Sequence, residues 1–191
     1  MAMLIVLSSA FTGLGGDVMA YSEFQTWSQN QSGRFVNCAM CHAHPDGPNG
    51  VKPGQIGSLT PEQIPALTEA RLAFESGQEI HSPILNEFGN SIVTQLGRTA
   101  VISLQLDPAA LADRISQESD LDRDGIPDAV EYRMGTHPLD KESGDPWMLF
   151  TGNFTRQRFH IAMIVLATVF GLYGFNHLMR GLHGVASRHR H

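Results

Sequence analysis

Hydrophobic and polar positions divide the chain into two apolar ends and a long mixed middle. Met1 to Gly16 is apolar and uncharged, and Phe159 to Met179 is a run of 21 residues without formal charge, bracketed by Arg158 and Arg180. As a helix the second run spans about 31 Å, the thickness of a bilayer core, which predicts a transmembrane helix over 159–180. The first run is shorter, about 24 Å as a helix, so residues 1–20 predict a secretory signal cut after Ala20 or a retained anchor extending past Asp17. We expect the anchor. Between the ends, three helices carry start and stop signals. Thr60-Pro61 or Ile64-Pro65 opens one that runs to about Ser76, ahead of Gly77. Ser82-Pro83 opens a second, where Leu85, Phe88, Ile92 and Leu96 share a face before Gly97. Asp107-Pro108 opens a third, to about Glu118. Tyr21 to Asn37 is polar with interspersed aromatics, and Pro45 to Gly57, with three prolines and four glycines, reads as a loop. The predicted fold class is all-α.

Chemistry concentrates first at Cys38-Ala39-Met40-Cys41-His42. Two thiols three residues apart can each bond one vinyl carbon of a porphyrin, and the histidine after the second can lie under the iron as an axial ligand. These are the only two cysteines of the chain, which leaves no third thiol for a disulfide framework or a four-cysteine zinc site. The competing reading is a redox-active Cys-x-x-Cys or half a zinc site. A thioredoxin-like site wants a strand before the motif and a helix opening at it, whereas a breaker-rich loop, Ala43 to Gly50, follows here.

The motif resembles the haem-binding motif of the cytochrome c superfamily. The resemblance covers residues 21–118 and is specific only at the five motif residues. It implies a small helical domain around one covalent haem c, with Cys38 and Cys41 as thioether residues and His42 as proximal ligand. Members of that family commonly supply a downstream methionine as the other axial ligand, and this chain has none between Met40 and Met134. His81, the only histidine between His44 and His137, is the candidate named for that position. Met134, an open iron or a ligand from elsewhere remain alternatives. His44 is too close to His42 to reach the opposite haem face and reads as an exposed loop histidine.

A second site follows. Asp120-Leu121-Asp122-Arg123-Asp124-Gly125-Ile126-Pro127-Asp128-Ala129-Val130-Glu131 matches the twelve-position calcium loop, with carboxylates at positions 1, 3, 5, 9 and 12, glycine at 6 and the Ile126 carbonyl at 7. Five carboxylates in twelve residues repel one another without a cation. The continuation to Asp140 resembles the calcium repeats of thrombospondin type 3, over residues 119–145 with one complete repeat. That resemblance implies a structural Ca2+ staple rather than a sensor.

The formal charge of -6 is unevenly spread: all nineteen carboxylates lie at or before Asp145, and the five arginines after it have no acidic neighbour in sequence. The acidic part lacks a basic surface run, which disfavours nucleic acid. Positive-inside reasoning puts the basic tail, 181–191, in the cytoplasm. The expected order is an anchor or signal at 1–20, a haem domain at 21–118, a calcium segment at 119–145, a linker at 146–158, the membrane helix and the tail. Ala167, Gly171 and Gly174 form a small-residue stripe on which an integral membrane subunit can pack. His160 and His177 are too far apart to serve one iron and read as interfacial or interhelical hydrogen-bonding groups. No nucleophile and base constellation appears, so the expectation is an electron carrier and not an enzyme, serving a redox partner protein from a bacterial inner membrane with the haem on the periplasmic side. An accessory assembly subunit, a haem-based gas sensor and a thiol oxidoreductase are the alternatives.

Overall fold

In the computed structural model of the chain the backbone is described for residues 21–188 and the side chains for residues 21–183, so the expected N-terminal anchor or signal lies outside the described residues. Seven α-helices follow in order: α1 Ser22–Ser32, α2 Gln63–Leu72, α3 Glu87–Leu96, α4 Arg98–Ser103, α5 Pro108–Arg114, α6 Asp128–Met134 and α7 Pro146–Arg188. Short 3-10 turns occur at Cys38–Met40, Ile56–Ser58 and Leu104–Leu106. The described residues contain no strand, only an isolated antiparallel bridge between His42 and Leu85. The architecture is helical, as the periodicity predicts. It splits into two compact units: residues 21–27 with Val36–Pro108, and Ser28–Phe35 with residues 109–188.

In the first unit, Ala70, Ala73 and Ile80 form a buried cluster against which Leu85 and Val93 pack. Phe88 and Ile92 of α3 are buried, as their shared face requires. Two helix boundaries differ from the sequence reading. Helix α2 stops at Leu72 because the next residues serve other helices: Ala73 and Phe74 accept the N–H groups of Arg98 and Thr99, and the Gly77 N–H donates to Thr94. Helix α3 starts at Glu87, after Asn86, since the carbonyls a helix opening at Ser82 would use are taken elsewhere: Ser82 and Leu85 accept from Asn90 Nδ2, Ile84 accepts from the Ala43 N–H, and Pro83 to Leu85 form a turn.

The second unit takes α5, which the sequence reading placed in the haem domain. Leu111, Ala112 and Ile115 are buried there, as are Ile126, Ala129 and Tyr132. The α5 helix ends at Arg114, and the Gln117 amide then donates to the carbonyls of Ala112 and Ile115, both at 3.0 Å. Helix α7 begins at Pro146, so the expected linker 146–158 is helical and continuous with the apolar run. Asp145 caps it, its Oδ1 accepting from the N–H groups of Trp147 and Met148 at 3.0 and 3.2 Å. Among the described residues α7 is the one helix long and apolar enough to cross a membrane.

Candidate functional site

The cysteine motif folds as a tight turn followed by one helical hydrogen bond. Asn37 caps it, accepting from the Ala39 N–H at 2.9 Å, and the His42 N–H donates to the Cys38 carbonyl at 2.8 Å. Asn86 fastens the carbonyls of that turn: its Nδ2 donates to Ala39 at 2.6 Å and Met40 at 3.1 Å, and its N–H to Cys41 at 3.1 Å. The same side chain caps α3, Oδ1 accepting from the Gly89 N–H at 2.8 Å. One residue therefore fastens the first turn of α3 to the motif. Gly89 completes the contact, because a Cβ there would collide with the Cys41 carbonyl oxygen.

The neighbouring strand-like turn sets the imidazole. The Ala43 N–H donates to Ile84 at 3.1 Å, and His42 Nδ1 lies 3.2 Å from the same carbonyl oxygen. A carbonyl only accepts, so Nδ1 carries the proton and donates. Burial lowers the His42 pKa, the Ile84 bond opposing it only in part, so the ring is neutral and Nε2 keeps a free lone pair. A metal-ligating histidine is commonly held in this way, its second ring nitrogen tied to a carbonyl. Burial pushes the Cys41 thiol up to about 12 and raises that of Cys38. Neither thiol is then poised as the thiolate that thiol–disulfide exchange requires. Gln25 of α1 reaches the motif as well, Oε1 lying 3.5 Å from the Cys38 sulfur while Nε2 donates to Val36 at 2.6 Å. Two thiols, a neutral imidazole of fixed tautomer and a backbone held from three sides fit the attachment of a haem.

The other histidines separate. His44 is largely covered rather than exposed, its side chain 15% accessible, with Nδ1 accepting from the Asp46 N–H at 3.1 Å. Gln55, buried, ties that loop by donating to Gly47 at 3.1 Å and accepting from the Lys52 N–H at 3.0 Å. His81 stands on the surface, 83% accessible and 3.5 Å from Glu79. Met134 and His137 belong to the second unit. His137 is a turn residue, its N–H on the Ser143 hydroxyl and its Nδ1 accepting from Leu139.

The acidic loop of the second unit is built inward. Asp120 accepts from the N–H groups of Asp124 and Gly125, Asp122 Oδ1 from Asp124, and Asp124 Oδ1 from Ile126 at 2.6 Å. Those bonds require sharp reversals, with Arg123 at φ +63° and Gly125 at φ +99°. Ligand oxygens of Asp120, Asp122 and Asp124 lie within 4.8 Å of one another. Asp122 Oδ2, Asp124 Oδ2 and Glu131 Oε2 are buried with no hydrogen-bond partner, a costly arrangement for carboxylates. Burial first, and the charges of Asp122 and Asp124 next, push Glu131 up to about 8. Three orphaned oxygens at positions 3, 5 and 12 fit a hard divalent cation. Asp128 differs from them: Oδ1 accepts from the Leu121 N–H at 3.0 Å and Oδ2 from the Ser119 hydroxyl at 2.5 Å. Its carboxylate pins the loop ends together. Ile126, the position-7 residue, is buried.

Compared with known proteins, the chain matches no family model, no curated protein and no solved structure.

Sequence reasoning missed Asn86, Gln25 and Gly89. An asparagine three residues ahead of a glycine and just before an apolar face is a helix-cap signal, but its second role as a donor to a distant turn has no local signature. Arg156 was also missed. It lies ahead of the apolar run on α7, and its guanidinium donates to the Arg123 carbonyl at 2.9 Å.

Proposed function

We propose that the chain is a membrane-anchored, monohaem c-type cytochrome that transfers electrons, with a calcium-stapled loop joined to its anchor helix. The observation that carries this reading is the His42 Nδ1 bond to Ile84, which fixes the tautomer an axial ligand needs in a motif that also offers two thiols at vinyl spacing. A haem bound there supplies one-electron exchange between ferrous and ferric iron. The chain's own residues do the rest. Cys38 and Cys41 hold the porphyrin, Asn86 and Gly89 hold the turn that carries them, and Ile84 orients the imidazole. Exposed Val51, Ile64, Leu72 and Phe74 of the same unit are apolar surface available to cover a porphyrin.

For the other axial position we retain His81. It is one of two further histidines in the unit, and its solvent-facing ring is free to turn, whereas His44 is engaged in its loop. For the second site we propose Ca2+ held by Asp120, Asp122, Asp124, the Ile126 carbonyl and Glu131, with Asp128 positioning the loop. The long apolar α7 supports a membrane anchor; that the membrane is an energy-transducing one, with the haem unit on the periplasmic side and the tail in the cytoplasm, is our reading from the chemistry and the positive-inside rule. Redox titration of the purified protein, followed by visible spectroscopy, tests the function. A reversible one-electron couple supports electron transfer. A haem that cannot be cycled leaves only a structural role for it.

A further inference from the structure

Two sides of α7 differ ahead of the apolar run. One side meets the acidic loop: Gly152 faces the Asp124 carbonyl, and Arg156 donates to the Arg123 carbonyl. The other carries Trp147, Phe150 and Phe154, which are 70%, 57% and 51% exposed. Their rings form a ladder, with centroids 5.6 and 6.1 Å apart. The spacing, three residues and then four, carries down the helix through Gln157, Ile161, Ile164, Thr168, Gly171 and Phe175 to Leu178, apolar except at Gln157 and Thr168. These are the a and d positions of a heptad repeat. Within the uncharged run the pattern says little, since nearly every position is apolar. In the turns above it the pattern is selective.

A bilayer core that opens at Phe159 leaves the top of this ladder above the lipid. At 1.5 Å per residue, Phe150 stands about 13 Å and Trp147 about 18 Å ahead of Phe159, whereas a headgroup layer is about 5–8 Å deep. Aromatic side chains carry about 150–250 Å² each, so at these exposures the ladder presents roughly 350 Å² per copy. A stable interface takes about 800 Å² from each partner. The remainder is available only along the same seam lower down, to a partner helix that runs beside α7 for most of its length. A second copy inserted in the same membrane runs in the same direction and brings an identical seam in the same phase.

We propose that α7 pairs in parallel with α7 of a second copy through Trp147, Phe150, Phe154 and the in-phase residues below them. Gln157, the one polar residue of the seam outside the uncharged run, meets its own counterpart at a d position and fixes the register. The proposal rests on reading α7 as a membrane span.

The test is disulfide cross-linking of the full-length protein in native membranes, comparing Phe154→Cys with Thr155→Cys on the loop side, alongside carbonate extraction. Pairing gives a cross-linked dimer for Phe154→Cys and none for Thr155→Cys. It also gives a twice-monomer native mass for the solubilised parent that falls to the monomer in Trp147→Ala/Phe150→Ala. A membrane-retained Phe154→Cys protein that stays monomeric, cross-links to a different protein, or cross-links no better than Thr155→Cys overturns the pairing and leaves the anchor intact. Release of the chain by carbonate overturns the anchor, and the pairing with it.

Discussion

The Asn86 side chain reaches Met40 across 46 positions of sequence, its amide nitrogen 3.1 Å from the Met40 carbonyl oxygen while its own oxygen caps α3. Local and distant structure meet in one residue. Asn86→Ala is predicted to lose about 2–4 kcal/mol of stability, about 1 from the cap and the rest from the two hydrogen bonds to the Ala39 and Met40 carbonyls. Asn86→Asp keeps the cap but sets a carboxylate against those carbonyls, so it is predicted to recover little. Urea unfolding followed by far-ultraviolet circular dichroism checks both.

Gly89→Ala is predicted to destabilise the same contact by about 1–3 kcal/mol, the usual range for overpacking. The added methyl meets backbone, the Cys41 carbonyl, and not a side chain that can swing away. Thermal melting and the yield of covalently attached haem are the measurements, and both are predicted to fall.

How much of this was legible in the sequence depended on distance. The cysteine motif and the spacing of the acidic loop are local, and both appear in the structure as turns, the loop carboxylates converging on their own backbone. The apolar face of α3 was legible through Phe88 and Ile92, since both are buried. Its start was not, because Ser82-Pro83 reads as an opening, but the Ser82 carbonyl is claimed by Asn90, eight residues on. Helix α1 escaped notice because it buries a serine, Ser28, whose hydroxyl donates to the Tyr132 carbonyl at 2.6 Å. The early start of α7 was signalled by Asp145-Pro146, a cap followed by proline at the first helical position, but the change of composition at Arg158 drew the boundary too late.

The acidic loop is predicted to make stability fall with rising pH when no cation is bound, and calcium is predicted to remove that fall. Glu131 is raised from 4.5 to about 8 in the folded chain. In chelator, the folded state therefore holds a proton that the unfolded state releases above about 4.5. The stabilisation from that proton is complete at lower pH and is lost as pH climbs to about 8. Calcium takes the proton's place, so the difference in melting temperature between calcium and chelator is predicted to widen from pH 5.5 to pH 8. Differential scanning calorimetry in the two conditions reads it.

Substitution separates ligand from positioning residue. Glu131→Gln is predicted to remove the calcium response and to raise the melting temperature in chelator at pH 8, because it deletes a buried charge. Asp128→Asn is predicted to keep a calcium response with an affinity lowered on the order of 10–100-fold, as loss of a supporting partner commonly does. Isothermal titration with Ca2+ distinguishes them. Equal, complete loss in both would make Asp128 a direct ligand.

The most direct measurement of the central claim is the intact mass of the purified chain together with its alkaline pyridine spectrum. A covalent haem c predicts a mass exceeding that of the polypeptide by one haem and a reduced spectrum typical of two thioether bonds, with both lost in Cys38→Ala/Cys41→Ala. A colourless protein at the mass of the bare polypeptide, with both thiols free to alkylation, contradicts it.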